Sequence, residues 1–377
     1  MKLLFILTFY YPHWTGLTKY AQRLAEGLSE NNFDVSVLTI KHQKELKDRE
    51  RVNGVEIIRK PFLFRLSRTL VSFSFIFSFW ENIKKADRVI VFLPFAEVLF
   101  VALICKLLGK ELILIHNGDM VLPGGISNRF TEKIYLHSTS WAMSLAIRIV
   151  IYTEDYAGRS DLLLRHRDKW VVIWPLFSVG KVKKDIISSI KKKFGLEGMG
   201  VVGFAGRFVE EKGVDVLLAA IPLVVKEIPD VRFLFAGEKV LSYENFYKKN
   251  LDLIKRNEKY ISFTGLIRDE DTLASFYSLC DVLVLPSRTE CLGSVQVEAM
   301  MCGTPVVVTD IPGARTIVKN TGMGVIVPSE DSQQLAHGII NVLKNRGKYA
   351  SRADMAVKEF NYDKTLGSYI GLFGKGN

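Results

Sequence analysis

Short apolar runs alternate with helix-patterned stretches along almost the whole of this chain. The runs LLFILTF, FDVSVLTI, DRVIVFL, ELILIHN and IRIVIYT read as strands. After the first of them, LTKYAQRLAEGLSEN sets Leu17, Tyr20, Ala21, Leu24 and Leu28 on one helical face, a stripe suited to packing on a sheet. Such alternation implies α/β architecture with parallel, doubly wound sheets. The pattern pauses at PLFSVGKVKKDIISSIKKKFGLEGMG, which is polar and lysine-rich, and restarts with VVGFAGR, VRFLFAG, ISFTG, CDVLVLPS, TPVVVTD and MGVIVP. A connection near Val179 to Met199 therefore divides the chain into domains at 1–178 and 199–355. Residues 356–377 are expected to form a helical segment that packs back on the first domain.

A length of 377 residues makes two domains the default, and a 48% hydrophobic content supplies both cores. The net charge of +11 favours anionic partners such as nucleotides, phosphorylated lipids or a membrane surface. Nucleic acid fits less well, because no recognition module is present. Cys105, Cys280, Cys291 and Cys302 have no metal-ligand spacing and read as reduced residues of a cytoplasmic protein. The opening MKLLFILTFYYP has one lysine and no small-residue cleavage site, so it reads as a strand and not a signal peptide. VIVFLPFAEVLFVALICKLL is long enough to cross a bilayer, but Pro94 and Glu97 split it into a strand and a helix. No transmembrane helix is expected.

Several motifs compete for a ligand. GMGVVG matches the spacing of a dinucleotide fingerprint, with Asp215 downstream, yet its glycines precede and enter a strand where the fingerprint must follow one. The acidic triplet Asp269–Asp271 resembles a metal-binding pair but opens a helix, where acidic residues cap. GRFVEEKG follows a strand and leads into a helix. Its Arg207 and Lys212 read either as a diphosphate clamp or as solvated surface charges.

The richest stretch is TECLGSVQVEAMMCGTPVVVTD, Thr289 to Asp310. A buried strand precedes it, and SVQVEAMMC fits a short helix stopped by Gly303. Gly293 lets backbone approach a ligand at the helix start. The first amides, of Ser294 and Val295, can bind phosphate oxygens. Glu298 leans toward that end and can reach a ribose diol, while Glu290 in the loop can accept from sugar hydroxyls. Two solvated or capping glutamates would give the same pattern.

These residues resemble the E-x7-E signature of retaining glycosyltransferases of family 4, with the GT-B fold of two Rossmann-like domains facing a cleft. GRFVEEKGVDVLLAA is similar to that family's diphosphate loop, and FTGLIRDEDTLASFYSLCDVLVLPS to its base-binding loop and following strand. YYPHWTGLTKYAQRLAEGL resembles the N-terminal glycine turn, and ILIHNGD the strand end that bears an active-site histidine. The resemblance implies an acceptor domain first and a nucleotide-sugar donor domain second. It implies His116, Arg207, Lys212 and Glu290 as catalytic residues. It further implies donor contacts from Gly16, Gly206, Gly237, Ile267, Cys291, Leu292, Gly293, Ser294, Val295 and Glu298. Departures include Leu17 beside Gly16, Leu292 for a usual phenylalanine, Thr316 for a common glutamate, and no Asn-Gly in WPLFSVG.

The expected activity is metal-independent transfer of a sugar from a nucleotide sugar to a glycan or lipid-linked glycan, with no cofactor. A nucleotide-sugar epimerase or a non-catalytic sugar-binding assembly factor on the same scaffold are the alternatives. The segment Lys60 to Lys85 places aromatics beside Arg65, Arg68, Lys84 and Lys85. That combination suits peripheral contact with an anionic membrane at its inner face, and equally an aromatic face packed on the sheet.

Overall fold

The computed structural model describes residues 1–66, 69–120, 126–241 and 244–374, with side chains described except at 64–71 and 126–128. The chain divides into two compact units, Met1–Leu176 with Tyr362–Asn377, and Phe177–Asn361.

The first unit is built on strands β1 (Lys2–Ile6), β2 (Asp34–Ile40), β3 (Arg49–Val52), β4 (Val55–Lys60), a small hairpin of β5 (Phe64–Leu66) and β6 (Thr69–Val71), then β7 (Arg88–Leu93), β8 (Glu111–His116), β9 (Arg148–Ile151) and β10 (Trp170–Val172). Its main sheet runs β10-β9-β8-β7-β1-β2-β4-β3. All pairings are parallel except β3 with β4. That antiparallel edge was not anticipated, although Asn53 and Gly54, both at positive φ, form the turn between the two strands.

Helices α1 (Gly16–Glu30), α2 (Phe73–Lys85), α3 (Val98–Leu107), α4 (Ile126–Leu145) and the short α5 (Glu154–Ala157) and α6 (Asp161–Leu164) complete this part. Phe75, Phe79 and Ile83 of α2, Val98, Val101 and Cys105 of α3, and Ala142 and Met143 of α4 join Leu4, Ile6, Val89 and Val91 in one core. Residues two apart on a helix diverge by about 200°. The alternating aromatics of α2 are therefore split, with Phe75 and Phe79 buried and Phe73 and Phe77 exposed. Arg68 and the side chain of Arg65 lie outside the described residues.

The second unit carries α7 (Lys184–Phe194), β11 (Gly200–Ala205), α8 (Val214–Glu227), β12 (Val231–Ala236), α9 (Phe246–Lys249), α10 (Leu251–Arg256), β13 (Ile261–Gly265), α11 (Glu270–Leu279), β14 (Val282–Leu285), α12 (Ser294–Met301), β15 (Val306–Thr309), α13 (Ala314–Thr321), β16 (Gly324–Val327), α14 (Ser332–Lys344), α15 (Arg346–Ala350) and α16 (Ala353–Glu359). Its sheet runs β13-β12-β11-β14-β15-β16, parallel throughout. In order of appearance this is 3-2-1-4-5-6, the Rossmann order, whose ligand crevice lies where the order reverses. Here the reversal falls between β11 and β14.

Two boundaries differ from expectation. The lysine-rich stretch after Val179 is a helix of the second unit and not a free connection. Lys183 Nζ pairs with Asp271 Oδ2 at 2.7 Å, and the Lys181 amide donates to Asp271 Oδ1 at 2.8 Å. At the other end, α16 stays with the second unit. Ala356 and Phe360 are buried, and the Phe360 ring meets Phe177 at 5.6 Å. Only the last helix, α17 (Tyr362–Gly374), joins the first unit. There the Tyr20 hydroxyl donates to that of Tyr369 at 2.6 Å, and Arg88 Nη1 donates to the carbonyls of Leu372 and Phe373.

Candidate active site

In the second unit, the loops leaving β11 and β14 meet at the switch point. The first carries Gly206, Arg207 and Lys212, the second Glu290, Cys291, Leu292 and Gly293. Lys212 Nζ forms an ion pair with Glu290 Oε1. Both side chains are largely buried, at 20% and 10% exposure, so the pair is shielded and sterically fixed. Ser287 Oγ, wholly buried, donates to the same carboxylate oxygen at 3.0 Å. Arg207 is exposed, and its Nη2 donates to Glu211 Oε1 at 3.1 Å.

Arg288 locks these two loops together. Its guanidinium donates to both Asp215 oxygens at 2.9 and 2.7 Å, to the Glu210 carbonyl at 2.6 Å, and to Glu330. Its amide donates to the Glu211 carbonyl at 2.8 Å. The bonds from Asp215 and Glu330 hold its pKa above even the usual guanidinium range, against the opposing effect of burial. Asp215, the acid downstream of GMGVVG, thus serves Arg288, and Gly198, Gly200 and Gly203 lie before and within β11 as the sequence order requires.

Gly293 is the N-cap of α12 at φ +71°, a left-handed conformation in which an added Cβ would sit 2.6 Å from Leu285 Cδ2. The helix opens at Ser294 and Val295, whose amides its own ladder leaves without an acceptor. Glu298 lies one turn further on. Its Oε2 accepts from the buried Tyr277 hydroxyl at 2.8 Å. Burial, then the Glu298 charge, raise the Tyr277 pKa well above its usual value, so it stays a donor. Gly237 lies at φ +134°, and the turn after β12 comes so near the turn after β11 that a Cβ there would lie 2.0 Å from the Gly206 carbonyl oxygen. Ile267 is half-buried in the loop between β13 and α11. Asp269 is the N-cap of that helix and accepts from the Thr272 amide at 2.8 Å and the Thr272 hydroxyl at 2.6 Å.

Gly16 and His116 lie in the first unit. Gly16 opens α1 behind the Thr15–Thr18 capping box, and an added Cβ there would meet nothing within 4 Å. His116 ends β8 and is buried. The Gly118 amide approaches its Nδ1 at 3.4 Å, and its Nε2 lies 3.1 Å from Asp119 Oδ1. Burial would raise the pKa of Asp119, but hydrogen bonds from His116, Ser160 and Tyr156 outweigh it and hold the carboxyl below its ordinary range.

Sequence reasoning brought Lys212 and Glu290 to the same site. It missed Ser287, Arg288 and Tyr277. Arg288 carried one signal, a charge two residues before Glu290 directly after a buried strand. Tyr277 carried none, since its partner lies 21 residues away on another helix. Among the described residues no group of three or more His, Cys, Asp or Glu side chains is arranged to hold a metal ion.

Comparison with known proteins follows the same division. The family model "Glycosyltransferase Family 4" matches residues 14–175, and "Glycosyl transferases group 1" matches residues 187–359. The chain is a family 4 glycosyltransferase with the GT-B fold. An uncharacterized glycosyltransferase of Methanocaldococcus jannaschii is 26% identical over 97% of this chain and 96% of its own length. The phosphatidyl-myo-inositol mannosyltransferase of Mycobacterium leprae is 33% identical, over 48% of each chain. Among solved structures, Anabaena HepE in complex with UDP and glucose superposes with a TM-score of 0.80 at 18% identity, covering 99% of both chains. Sucrose-phosphate synthase of Thermosynechococcus elongatus gives 0.78 at 19% identity, covering 99% of this chain and 98% of its own. The glycosyltransferase therefore shares its fold with these structures.

Proposed function

We propose that this glycosyltransferase moves a sugar from a nucleotide-sugar donor to a hydroxyl of a lipid-linked or growing glycan, with retention of anomeric configuration and without a metal ion. The observation that carries the reading is the Lys212–Glu290 pair at the switch point, next to the helix start that holds Glu298. The names of HepE bound to UDP and glucose and of the inositol-lipid mannosyltransferase support the donor and the acceptor class. Such an acceptor places the enzyme in the cytoplasm, at the inner face of a membrane.

In the reaction, the bond between the anomeric carbon and the diphosphate oxygen breaks. The acceptor oxygen bonds to that carbon on the same face, and its proton passes to the departing phosphate. Negative charge grows on the leaving group, where preorganised cations act most strongly. Arg207 and Lys212 supply that charge, and the Ser294 and Val295 amides donate to phosphate oxygens. Glu298 accepts from the ribose diol, steadied by Tyr277, and Glu290 accepts from the sugar. Gly206, Gly237, Ile267, Cys291 and Leu292 border the donor with backbone or small surfaces. The roles of Gly16 and His116, in the other unit, rest on the sequence resemblance.

The test is NMR of a nucleotide-sugar panel turned over with glycan acceptors in the presence of chelator. A new glycosidic bond with the donor's anomeric configuration is expected. An epimerised donor without transfer would make the protein an epimerase. Neither binding nor turnover of any donor would leave a sugar-binding assembly factor.

A further inference from the structure

The side of the first unit formed by α2, α3 and α4 is apolar toward solvent. All three helices bury one face in the same core, on one side of the sheet, and α3 packs beside both α2 and α4. Their outward faces are therefore adjacent. On α2 that face carries Phe73, Phe77 and Trp80, spaced i, i+4, i+7. On α3 it carries Phe100, Leu103 and Leu107 at i, i+3, i+7. On α4 it carries Phe130, Ile134 and Trp141, at i, i+4, i+11. Each helix thus repeats its apolar stripe on the side opposite the core. Isolated exposed apolar residues need no explanation, but three parallel rows on neighbouring helices form a patch of the kind that marks an interaction surface.

Charge identifies what covers it. Lys84 and Lys85 close α2, Lys106 lies in the last turn of α3, and Arg129 and Lys133 lie in the first turns of α4. All five are exposed, and of the described acids on these helices Glu81 is exposed and Glu132 half-buried. Helices that connect parallel strands run antiparallel to them, so these cations flank the aromatic rows at both ends of the face. A second copy of the chain would set like charges against one another at its rim. A bilayer with anionic headgroups would meet the cations with opposite charge and take the aromatics at its interface. No helix among the described residues is long and apolar enough to cross a membrane, so contact is with the surface.

We propose that the α2–α3–α4 face docks the enzyme on an anionic bilayer, with Phe77, Trp80 and Leu107 entering the interface and the flanking lysines and arginine meeting lipid phosphates. This deepens the functional reading, because it gives a lipid-linked acceptor a route to the enzyme, and it rests on that reading only for its purpose.

Flotation of the full-length protein with phosphatidylglycerol–phosphatidylcholine vesicles, against phosphatidylcholine alone, tests it. Binding to the anionic vesicles is expected, weakening as salt rises. The double variant Lys84→Glu, Lys85→Glu should lower the bound fraction's partition coefficient roughly tenfold or more. The double variant Phe77→Ser, Leu107→Ser should also abolish most of the binding; these side chains are 78% and 75% exposed, so the fold should survive. Protein that stays unbound at low salt, or binding indifferent to both variants, would overturn the proposal. So would a dimer in analytical ultracentrifugation that the Phe77→Ser, Leu107→Ser variant dissociates, since the face would then belong to a second copy. Nucleotide-sugar binding by the same variants, followed by thermal shift, separates the two failures. Donor binding without flotation removes the docking face alone, and flotation without donor binding removes the functional reading alone.

Discussion

Lys212 Nζ and Glu290 Oε1 form an ion pair that ties the loop after β11 to the loop after β14, where the strand order of the second unit's sheet reverses. In the proposed reaction the pair would hold a cation in place before the diphosphate arrives, so little reorganisation would be needed when charge develops on the leaving group.

Lys212→Ala and Arg207→Ala should therefore lower kcat more than they weaken donor binding, because their interactions strengthen in the transition state. The larger effect is expected at Lys212, the more buried and better fixed of the two. Steady-state kinetics beside calorimetric donor affinities read the difference. Equal losses in both quantities would assign these residues to ground-state binding only.

Gly293→Ala should destabilise the protein. A non-glycine residue held at φ +71° costs roughly 1–2 kcal/mol, and the added Cβ must also displace Leu285 in the core. Urea unfolding measures the change. An unaltered midpoint would mean that the turn relaxes and that the left-handed conformation is not enforced.

Burial, with His13 and Arg59 close by, pushes the pKa of His42 down from 6.5 to about 4. The unfolded chain then binds a proton at this position that the folded chain refuses, so its contribution to stability is complete above 6.5 and is lost as pH falls toward 4. The variant His42→Gln should show a shallower fall of stability across that window in urea titrations at several pH values. A fall as steep as that of the unaltered protein would place the titration elsewhere.

Activity should persist in chelator, because Asp269 is occupied as a helix cap and Asp271 by Lys181 and Lys183. Asp269→Ala should lower stability through the lost cap and leave turnover intact. Strict dependence on magnesium or manganese would restore the acidic triplet as a metal site.

Much of this architecture was legible in the sequence, for physical reasons. Parallel strands buried on both faces read as continuous apolar runs, and β1, β2, β7, β8, β9, β11, β12, β14 and β15 declared themselves that way, while the half-buried edge strands β13 and β16 were marked by their place in the strand–helix alternation. The edge strand β3, RERV, did not, because an edge tolerates charge and its burial is partial. The helix α7 read as a connection because its isoleucines are only half-buried and its lysines face outward. At the site, groups adjacent in sequence to a glycine turn were found, and groups that act across the fold were not. Arg288 reaches Asp215, and Tyr277 reaches Glu298, over separations that no local spacing encodes. The aromatics of α2 looked like a single surface; helical geometry divided them between the core and solvent.

The central claim is that Glu298 holds the donor's ribose at the start of α12. A charge-assisted hydrogen bond contributes about 1.5–3 kcal/mol. Calorimetric titration of nucleoside diphosphates into the unaltered protein, Glu298→Ala and Tyr277→Phe tests it directly. Affinity should fall roughly tenfold or more in Glu298→Ala, and less in Tyr277→Phe, which frees the carboxylate from its steadying hydroxyl. Unchanged affinity in Glu298→Ala, with the preferred nucleotide still bound, would contradict it.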